Sequence, residues 1–109
     1  MTALEEAVEY ATVCTLDDLP TGLGRAFVIG SHRVAIFRTR TGKVFAVADK
    51  CPHKGGPLSD GMLAGEQVVC PMHAFRFDAA GNCDQPSVCA VRTYPVEVED
   101  RLVRVGVPV

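Results

Sequence analysis

Short apolar segments separated by turn residues run through most of this chain. Three of them, Arg25 to Ile29, Arg33 to Arg38 and Val44 to Ala48, are rich in valine, isoleucine, phenylalanine and alanine. The pairs Gly30-Ser31 and Thr41-Gly42 separate these segments, and such pairs are typical of hairpin turns. The pattern therefore predicts an antiparallel meander of three strands.

The pattern of strands continues in the second half of the chain. The further predicted strands are Val68-Val69, Phe75 to Phe77, Val91 to Glu99 and Leu102 to Val107. Within the third of these, Val96 to Glu99 alternates valine with glutamate, the period of two expected of a half-buried strand. Only Ala3 to Tyr10 favours a helix, and that helix would be short and terminal. We therefore expect an all-β fold, an antiparallel β-sandwich or small barrel.

Composition and charge narrow the class of protein. The chain has 109 residues with no repeat or linker, which predicts one domain spanning residues 1–109. A net charge of -2 without a local lysine and arginine cluster argues against nucleic acid or anionic lipid as a partner. No apolar run approaches the length of a membrane span, and MTALEEAVEY lacks the pattern of a secretory signal. The composition predicts a cytoplasmic protein without a membrane partner.

Two loops interrupt the strands between Asp49 and Ala74. The first contains Cys51-Pro52-His53 and the second contains Cys70-Pro71-Met72-His73, so that the motif is C-x-H, sixteen residues, C-x-x-H. Hairpin loops at one end of a β-framework could bring these four side chains around one metal centre. The cysteine count, five, is odd, and a reducing compartment disfavours disulfides. Metal binding is therefore the better interpretation of the loops.

Prolines and glycines in the loops predict a rigid backbone. Pro52, Pro57 and Pro71 each fix φ, while Gly55 and Gly56 allow close approach where a side chain would clash. Ligands must be held in place for a metal to bind tightly, and backbone N–H groups near a cluster can donate to its sulfides. The loop composition suits a metal centre.

The ligand types allow two kinds of centre. Two thiolates and two imidazoles suit either tetrahedral zinc or an iron-sulfur cluster with mixed ligands. Zinc sites usually place like ligands on the same knuckle, whereas each loop here carries one cysteine and one histidine. In a two-iron cluster both cysteines can bind one iron and both histidines the other. The spacing favours the cluster and leaves a zinc-holding or cluster-free interaction module as the weaker alternative.

The stretches CPHKGGPLSDG and CPMHAFRFDAAG resemble the two cluster-binding loops of Rieske-type ferredoxin domains. The resemblance implies a Rieske fold with cluster-binding loops at about 49–61 and 69–78, and one [2Fe-2S] cluster. It implies that Cys51 and Cys70 ligate the buried iron, and that His53 and His73 ligate the outer iron through their δ nitrogens. The residues expected to surround the ligands are Lys54, Gly55, Gly56, Pro57, Met72 and Phe75.

The resemblance extends from about Val13 to Val107. The segments VAIFR, VFAV and VRTYPVEVEDRLVRV are similar in order to the small subunit of NAD(P)H-dependent assimilatory nitrite reductase. That resemblance implies a subunit that passes electrons for the reduction of nitrite to ammonia, beside a large subunit with flavin, sirohaem and a [4Fe-4S] cluster. Rieske ferredoxins, which carry electrons from a ferredoxin reductase to an oxygenase, share much of this similarity. The role of such a ferredoxin is therefore the alternative. Neither role requires a substrate site on this chain.

The two loops lack residues that are typical of high-potential Rieske proteins, which disfavours that branch of the family. High-potential Rieske proteins carry an extra cysteine in each loop, where this chain has Gly56 and Met72, and a serine after the second histidine, where Ala74 and Phe75 follow His73. Without those groups we expect a potential toward the low end of about -150 to +300 mV, and a soluble carrier rather than a quinol oxidase. We also expect the potential to fall with pH once the histidines deprotonate.

The remaining candidates are expected to have structural roles. His32 is predicted to be an exposed turn residue without a metal role. Cys14, Cys83 and Cys89 are expected to be reduced, partly buried apolar residues. A solvated strand face is expected for Glu97, Glu99 and Asp100, and Pro57 and Leu58 are expected to shield the cluster from water. Lys54, Met72 and Phe75 could form either a docking surface or packing contacts.

Overall fold

A computed structural model describes residues 7–50, 56–70, 76–83 and 90–108. The strands are β1 Val8–Thr15, β2 Gly24–Ile29, β3 His32–Arg38, β4 Val44–Ala48, β5 Met62–Ala64, β6 Gln67–Val69, β7 Arg76–Phe77, β8 Thr93–Tyr94, β9 Val96–Glu99 and β10 Leu102–Pro108. Two short 3-10 helices, Leu16–Asp18 and Leu58–Asp60, lie between them, and the described ranges contain no α-helix. The predicted all-β fold is confirmed.

The strands form three antiparallel sheets, with strand orders β1-β10-β9, β2-β3-β4-β8 and β5-β6-β7. The predicted meander is β2, β3 and β4. Ile29 pairs with His32 across the Gly30-Ser31 turn, and Gly30 has a φ of 62° that favours glycine. The second turn contains Gly42 at a φ of 89°. The turn residues identified in the sequence therefore lie where the meander needs them.

The two central strands of the four-stranded sheet, β3 and β4, are buried on both faces. Its strand β3 contains Val34, Ala35, Ile36 and Phe37, all fully buried. Ala35 and Phe37 contact the core shared with β5-β6-β7, whereas Val34 and Ile36 contact the core shared with β10. Because successive side chains of a strand point to opposite faces, burial on both faces produces a continuous apolar run rather than an alternating one.

Three predictions of secondary structure need correction. The helix predicted over Ala3 to Tyr10 is wrong for Val8–Tyr10, which belong to β1 and pair with β10 along its length, while residues 3–6 lie outside the described part of the chain. Backbone pairing outweighs the weak helical preference of a short terminal segment.

The strand predicted over Val91 to Glu99 divides into β8 and β9 around Pro95, which has no N–H to donate to a sheet. Val98 belongs to the segment predicted as a half-buried strand, but it is 45% exposed on the edge strand β9.

In the described ranges, no helix has the length and apolar character needed to cross a membrane.

Candidate metal centre

The first ligand-bearing loop leaves β4 and ends at the 3-10 helix Leu58–Asp60. The predicted ligands Cys51 and His53 lie outside the described residues, as do their neighbours Lys54 and Gly55. Gly56 is buried, Pro57 is half-buried and Leu58 is fully buried in the core beneath the loop. The C-terminal end of the loop is therefore fixed inside the protein.

A buried carboxylate joins the two ends of this loop. Asp49 Oδ1 accepts a hydrogen bond from the backbone N–H of Ser59 at 2.7 Å, and Oδ2 accepts from the Ser59 hydroxyl at 2.9 Å. Oδ2 also accepts from Arg33 Nε at 2.7 Å. The sequence does not reveal this role of Asp49, because its partner Ser59 is ten residues away and no periodic pattern links them. The only signal was its position directly before the first loop.

The second loop is a hairpin between β6 and β7. Val69 pairs with Arg76 and Val68 pairs with Phe77, so residues 70–75 connect the two strands. Cys70 stands at the start of that connection with 1% of its surface exposed, among apolar neighbours. The other predicted residues of this loop, Met72, His73 and Phe75, lie outside the described ranges.

The two loops are held side by side by a glycine. Gly61 follows the 3-10 helix of the first loop, and a Cβ there would lie 2.2 Å from the carbonyl oxygen of Val69. Met62 pairs with Val69 in the same sheet. Since Cys70 follows Val69, the end of the first loop lies against the start of the second.

A third connection is anchored beside the second loop. Asp78 Oδ1 accepts hydrogen bonds from the N–H groups of Ala80 at 3.0 Å and Asn82 at 2.9 Å. Gly81 has a φ of 86°, and its carbonyl accepts from the N–H of Val91 at 2.8 Å. Val91 lies in the same core as Cys70. The sequence analysis contains no prediction of this turn, although Phe77-Asp78 and Gly81 belong to the stretch that resembles Rieske loops.

His32 differs from its prediction. It is half-buried at the start of β3, with Nδ1 3.2 Å from the Tyr94 hydroxyl and the two rings edge to face at 5.7 Å. The Arg92 guanidinium lies 5.4 Å from the centre of the Tyr94 ring. The turn ends at Ser31, so His32 is already part of the sheet. The prediction that it is exposed was wrong.

Two further cysteines are described. Cys14 carries a free thiol and is half-buried, and burial raises its pKa, as does the charge of Asp18, while Arg25 opposes the shift. Cys83 is half-buried and pairs with Phe77 in an isolated bridge. Both match the expectation of partly buried residues, and Cys89 lies outside the described ranges. Glu97, Glu99 and Asp100 are exposed, as predicted.

Three of the four predicted ligands lie outside the described residues, and within those residues no three histidine, cysteine or acidic side chains gather in a metal-binding group. The surroundings of Cys70, the predicted ligand that is described, suit a thiolate of an iron-sulfur cluster. Cys70 is a soft sulfur donor held in an apolar, water-excluding environment, and the sequence supplies a second cysteine and two histidines on the two adjacent loops.

The family model of the Rieske [2Fe-2S] domain matches residues 9–95. The chain therefore belongs to the Rieske [2Fe-2S] domain family. Its cofactor is a Rieske-type [2Fe-2S] cluster, and its function is electron transfer.

Known relatives fall into two groups by length. A naphthalene 1,2-dioxygenase system ferredoxin component from Pseudomonas aeruginosa is 30% identical over 102 residues, which cover 89% of this chain and 94% of the relative. A 4beta-methylsterol monooxygenase from Methylococcus capsulatus is 36% identical over 78 residues, which cover 61% of this chain. The chain spans only 21% of that monooxygenase, so the similarity is confined to one part of the larger protein.

Similar solved structures include a nitrite reductase small subunit and a dioxygenase ferredoxin. A protein assigned as an NADH-dependent nitrite reductase small subunit from Mycobacterium tuberculosis superposes with a TM-score of 0.86 at 27% identity, covering 95% of this chain and 99% of that one. The ferredoxin of carbazole 1,9a-dioxygenase from Nocardioides aromaticivorans superposes with a TM-score of 0.80 at 32% identity, covering 88% and 95%.

Proposed function

We propose that Cys51 and Cys70 ligate the inner iron of the cluster and that His53 and His73 ligate the outer iron. The single observation that supports this most directly is the burial of Cys70 at the start of the second hairpin, where a thiolate is shielded from water. When bound, the cluster accepts and donates one electron at a time. Residues 1–109 would then form a single cluster domain in the cytoplasm.

The surrounding residues have supporting roles in this proposal. Gly56, Pro57 and Leu58 are buried or half-buried where the first loop rejoins the fold, and they exclude water from that side. Lys54, Gly55, Met72 and Phe75 are proposed to complete the surroundings of the ligands. The protein contributes ligand placement and water exclusion, while the bond-breaking chemistry occurs on a partner.

The best-supported specific role is that of the small subunit of an NAD(P)H-dependent nitrite reductase, which reduces nitrite to ammonia. Support comes from the protein assigned as a nitrite reductase small subunit, because the two chains cover one another almost completely at a TM-score of 0.86. The proposed partner is a large subunit carrying sirohaem and flavin.

A free-standing ferredoxin component of an oxygenase system is the second candidate. It is favoured by the naphthalene dioxygenase ferredoxin component, which this chain covers over 94% of its length at 30% identity. In this role, the partners would be a ferredoxin reductase and an oxygenase.

The ligand assignment is tested on the purified full chain. We expect two iron and two sulfide per chain, a red-brown colour and a Rieske electron paramagnetic resonance signal on reduction. Cys51→Ser and His53→Ala should each abolish that signal, because either change removes one ligand. The matched control Cys14→Ser, which changes a cysteine on β1, should keep it. Retention of an unchanged signal in Cys51→Ser would contradict the assignment.

The two roles are separated by reconstitution with candidate partners from the source organism. For nitrite reductase, adding the chain to the sirohaem protein should give NAD(P)H-dependent nitrite consumption, and the apo Cys51→Ser variant should not. Electron delivery to an oxygenase, with no stimulation of nitrite consumption, would instead support the ferredoxin role.

A further inference from the structure

Hydrogen bonds between Asp49 and Ser59 join the two ends of the first ligand loop. The two Asp49 oxygens accept two hydrogen bonds from Ser59, one from the backbone N–H at 2.7 Å and one from the hydroxyl at 2.9 Å. The loop of interest lies between these two residues and contains Cys51 and His53. The contact therefore sets the distance between the ends of the ligand-bearing segment.

The charge of Asp49 makes this contact strong. Its side chain is fully shielded from water, whereas the Arg33 side chain that donates to it at 2.7 Å is 59% exposed. A buried carboxylate is costly unless its oxygens are satisfied, and here three donors satisfy them. Hydrogen bonds to an ionised acceptor are shorter and stronger than neutral ones. Arg33 also fixes the carboxylate to β3.

The same contact extends to the second loop. Ser59 lies in the 3-10 helix that ends before Gly61, and Gly61 lies against the carbonyl of Val69, the residue before Cys70. There is no free space between Gly61 and the Val69 carbonyl. A shift of Ser59 would therefore also displace the start of the second loop.

We propose that Asp49 is a positioning residue that closes the first loop through Ser59, and that opening of this contact is the step by which the cluster is lost. The inference rests on the proposed ligation by Cys51 and His53. According to this proposal, the Asp49 carboxylate slows loss of the cluster without ligating iron.

The test compares Asp49→Asn with the matched control Asp60→Asn. Both changes remove one negative charge close to Ser59, since Asp49 is hydrogen-bonded to Ser59 and Asp60 follows Ser59 in the chain, but Asp49 is buried and Asp60 is exposed. Two quantities are measured on the full chain: the rate of cluster release to an iron chelator, followed by visible absorbance, and amide hydrogen exchange at Ser59 and Val105. Val105 is fully buried in β10 and reports on the rest of the fold.

We expect Asp49→Asn to release the cluster about tenfold faster, the scale of a lost hydrogen bond to a charged acceptor. The Ser59 amide should exchange faster while Val105 is unchanged, and Asp60→Asn should behave as the unaltered chain. Ser59→Ala should increase the rate of cluster release by a smaller factor. In the double variant Asp49→Asn with Ser59→Ala, the rate should increase by less than the product of the two single factors, because both changes remove the same contact.

Two outcomes would overturn the inference. If Ser59 exchanges faster but the cluster is released at the original rate, the contact does not hold the cluster. If Val105 exchange rises together with that of Ser59, Asp49 acts through global stability. Either result leaves the ligand proposal standing, since that proposal fails only if Cys51→Ser or His53→Ala keeps an unchanged spectrum.

Discussion

Gly61 and Val69 approach so closely that the space for a side chain at residue 61 is already occupied by the carbonyl oxygen of Val69. The φ of Gly61 is -81°, which any residue can adopt, so the requirement for glycine here is one of space and not of backbone conformation. This contact joins the end of the first loop to the residue before Cys70. Loop geometry in this protein thus depends on a backbone contact between the loops.

Gly61→Ala should lower the free energy of unfolding and weaken cluster retention. Forcing a methyl group against the Val69 carbonyl should cost about 1–3 kcal/mol, as overpacking does elsewhere. Denaturant unfolding of the apoprotein measures the first effect, and iron content after purification measures the second.

Gly65→Ala is the matched control for this change. Gly65 has a φ of 64° and no atom within 4 Å of an added Cβ, so alanine there introduces backbone strain without a clash. The strain should cost about 1–2 kcal/mol and leave iron content unchanged. Equal iron loss in both variants would show that the contact with Val69 has no particular role.

Leu58 should be the most sensitive apolar residue of the first loop. It is fully buried in the core that contains Cys70, Val68 and Phe77. Leu58→Ala should cost about 2–5 kcal/mol by leaving a cavity beneath both loops, and it should speed loss of visible absorbance on warming. Leu102→Ala, at a residue that is 41% exposed in β10, should cost far less and leave the absorbance stable. Similar losses in the two variants would be inconsistent with a shared core under the loops.

The sequence predicted the meander well because its signals are local. Val34 to Phe37 form a continuous apolar run, and Gly30 and Gly42 mark the turns. The ligand motif is equally local, with each cysteine and histidine within a few residues of one another. These features need no knowledge of distant contacts.

The sequence could not predict the contacts that join distant segments. The Asp49–Ser59 contact joins the two ends of the first loop and the Gly61–Val69 contact joins the two loops, and no periodic pattern records either contact. The helix predicted from the sequence wrongly includes the first three residues of β1, because the pairing partner of β1, β10, is at the other end of the chain. His32 was misplaced for the same reason, since Tyr94 is 62 residues away.

Asp18 should make stability dependent on pH in the acid range. Hydrogen bonds from the Thr15 backbone N–H, at 2.9 Å, and then from the Thr15 hydroxyl lower the pKa of the Asp18 carboxyl below 3.8. A lowered folded-state pKa means that the stabilisation is present above the unfolded value and is lost as the pH falls through the folded value. Asp18→Ala should therefore be less stable than the unaltered chain at pH 7, and the difference should shrink as the pH falls below 3.8. Thermal unfolding of both chains at a series of pH values measures this difference in stability. A difference that does not change with pH would exclude this role for the Asp18 carboxylate.

Cys14 should react slowly with alkylating reagents. Burial, and then the nearby charge of Asp18, raise the pKa of its thiol above the ordinary value of 9.0, so less of the reactive thiolate is present near neutral pH. Because the raised pKa disfavours the thiolate in the folded state, this group costs no stability below the unfolded value and destabilises the fold as the pH rises above it. Iodoacetamide labelling, followed by mass spectrometry of the peptide that contains Cys14, should be slower in the folded chain than in the chain unfolded in urea. Asp18→Asn should speed the folded-state reaction slightly by removing one cause of the shift, whereas Asp60→Asn should not, and equal labelling rates in folded and unfolded chains would contradict the raised pKa.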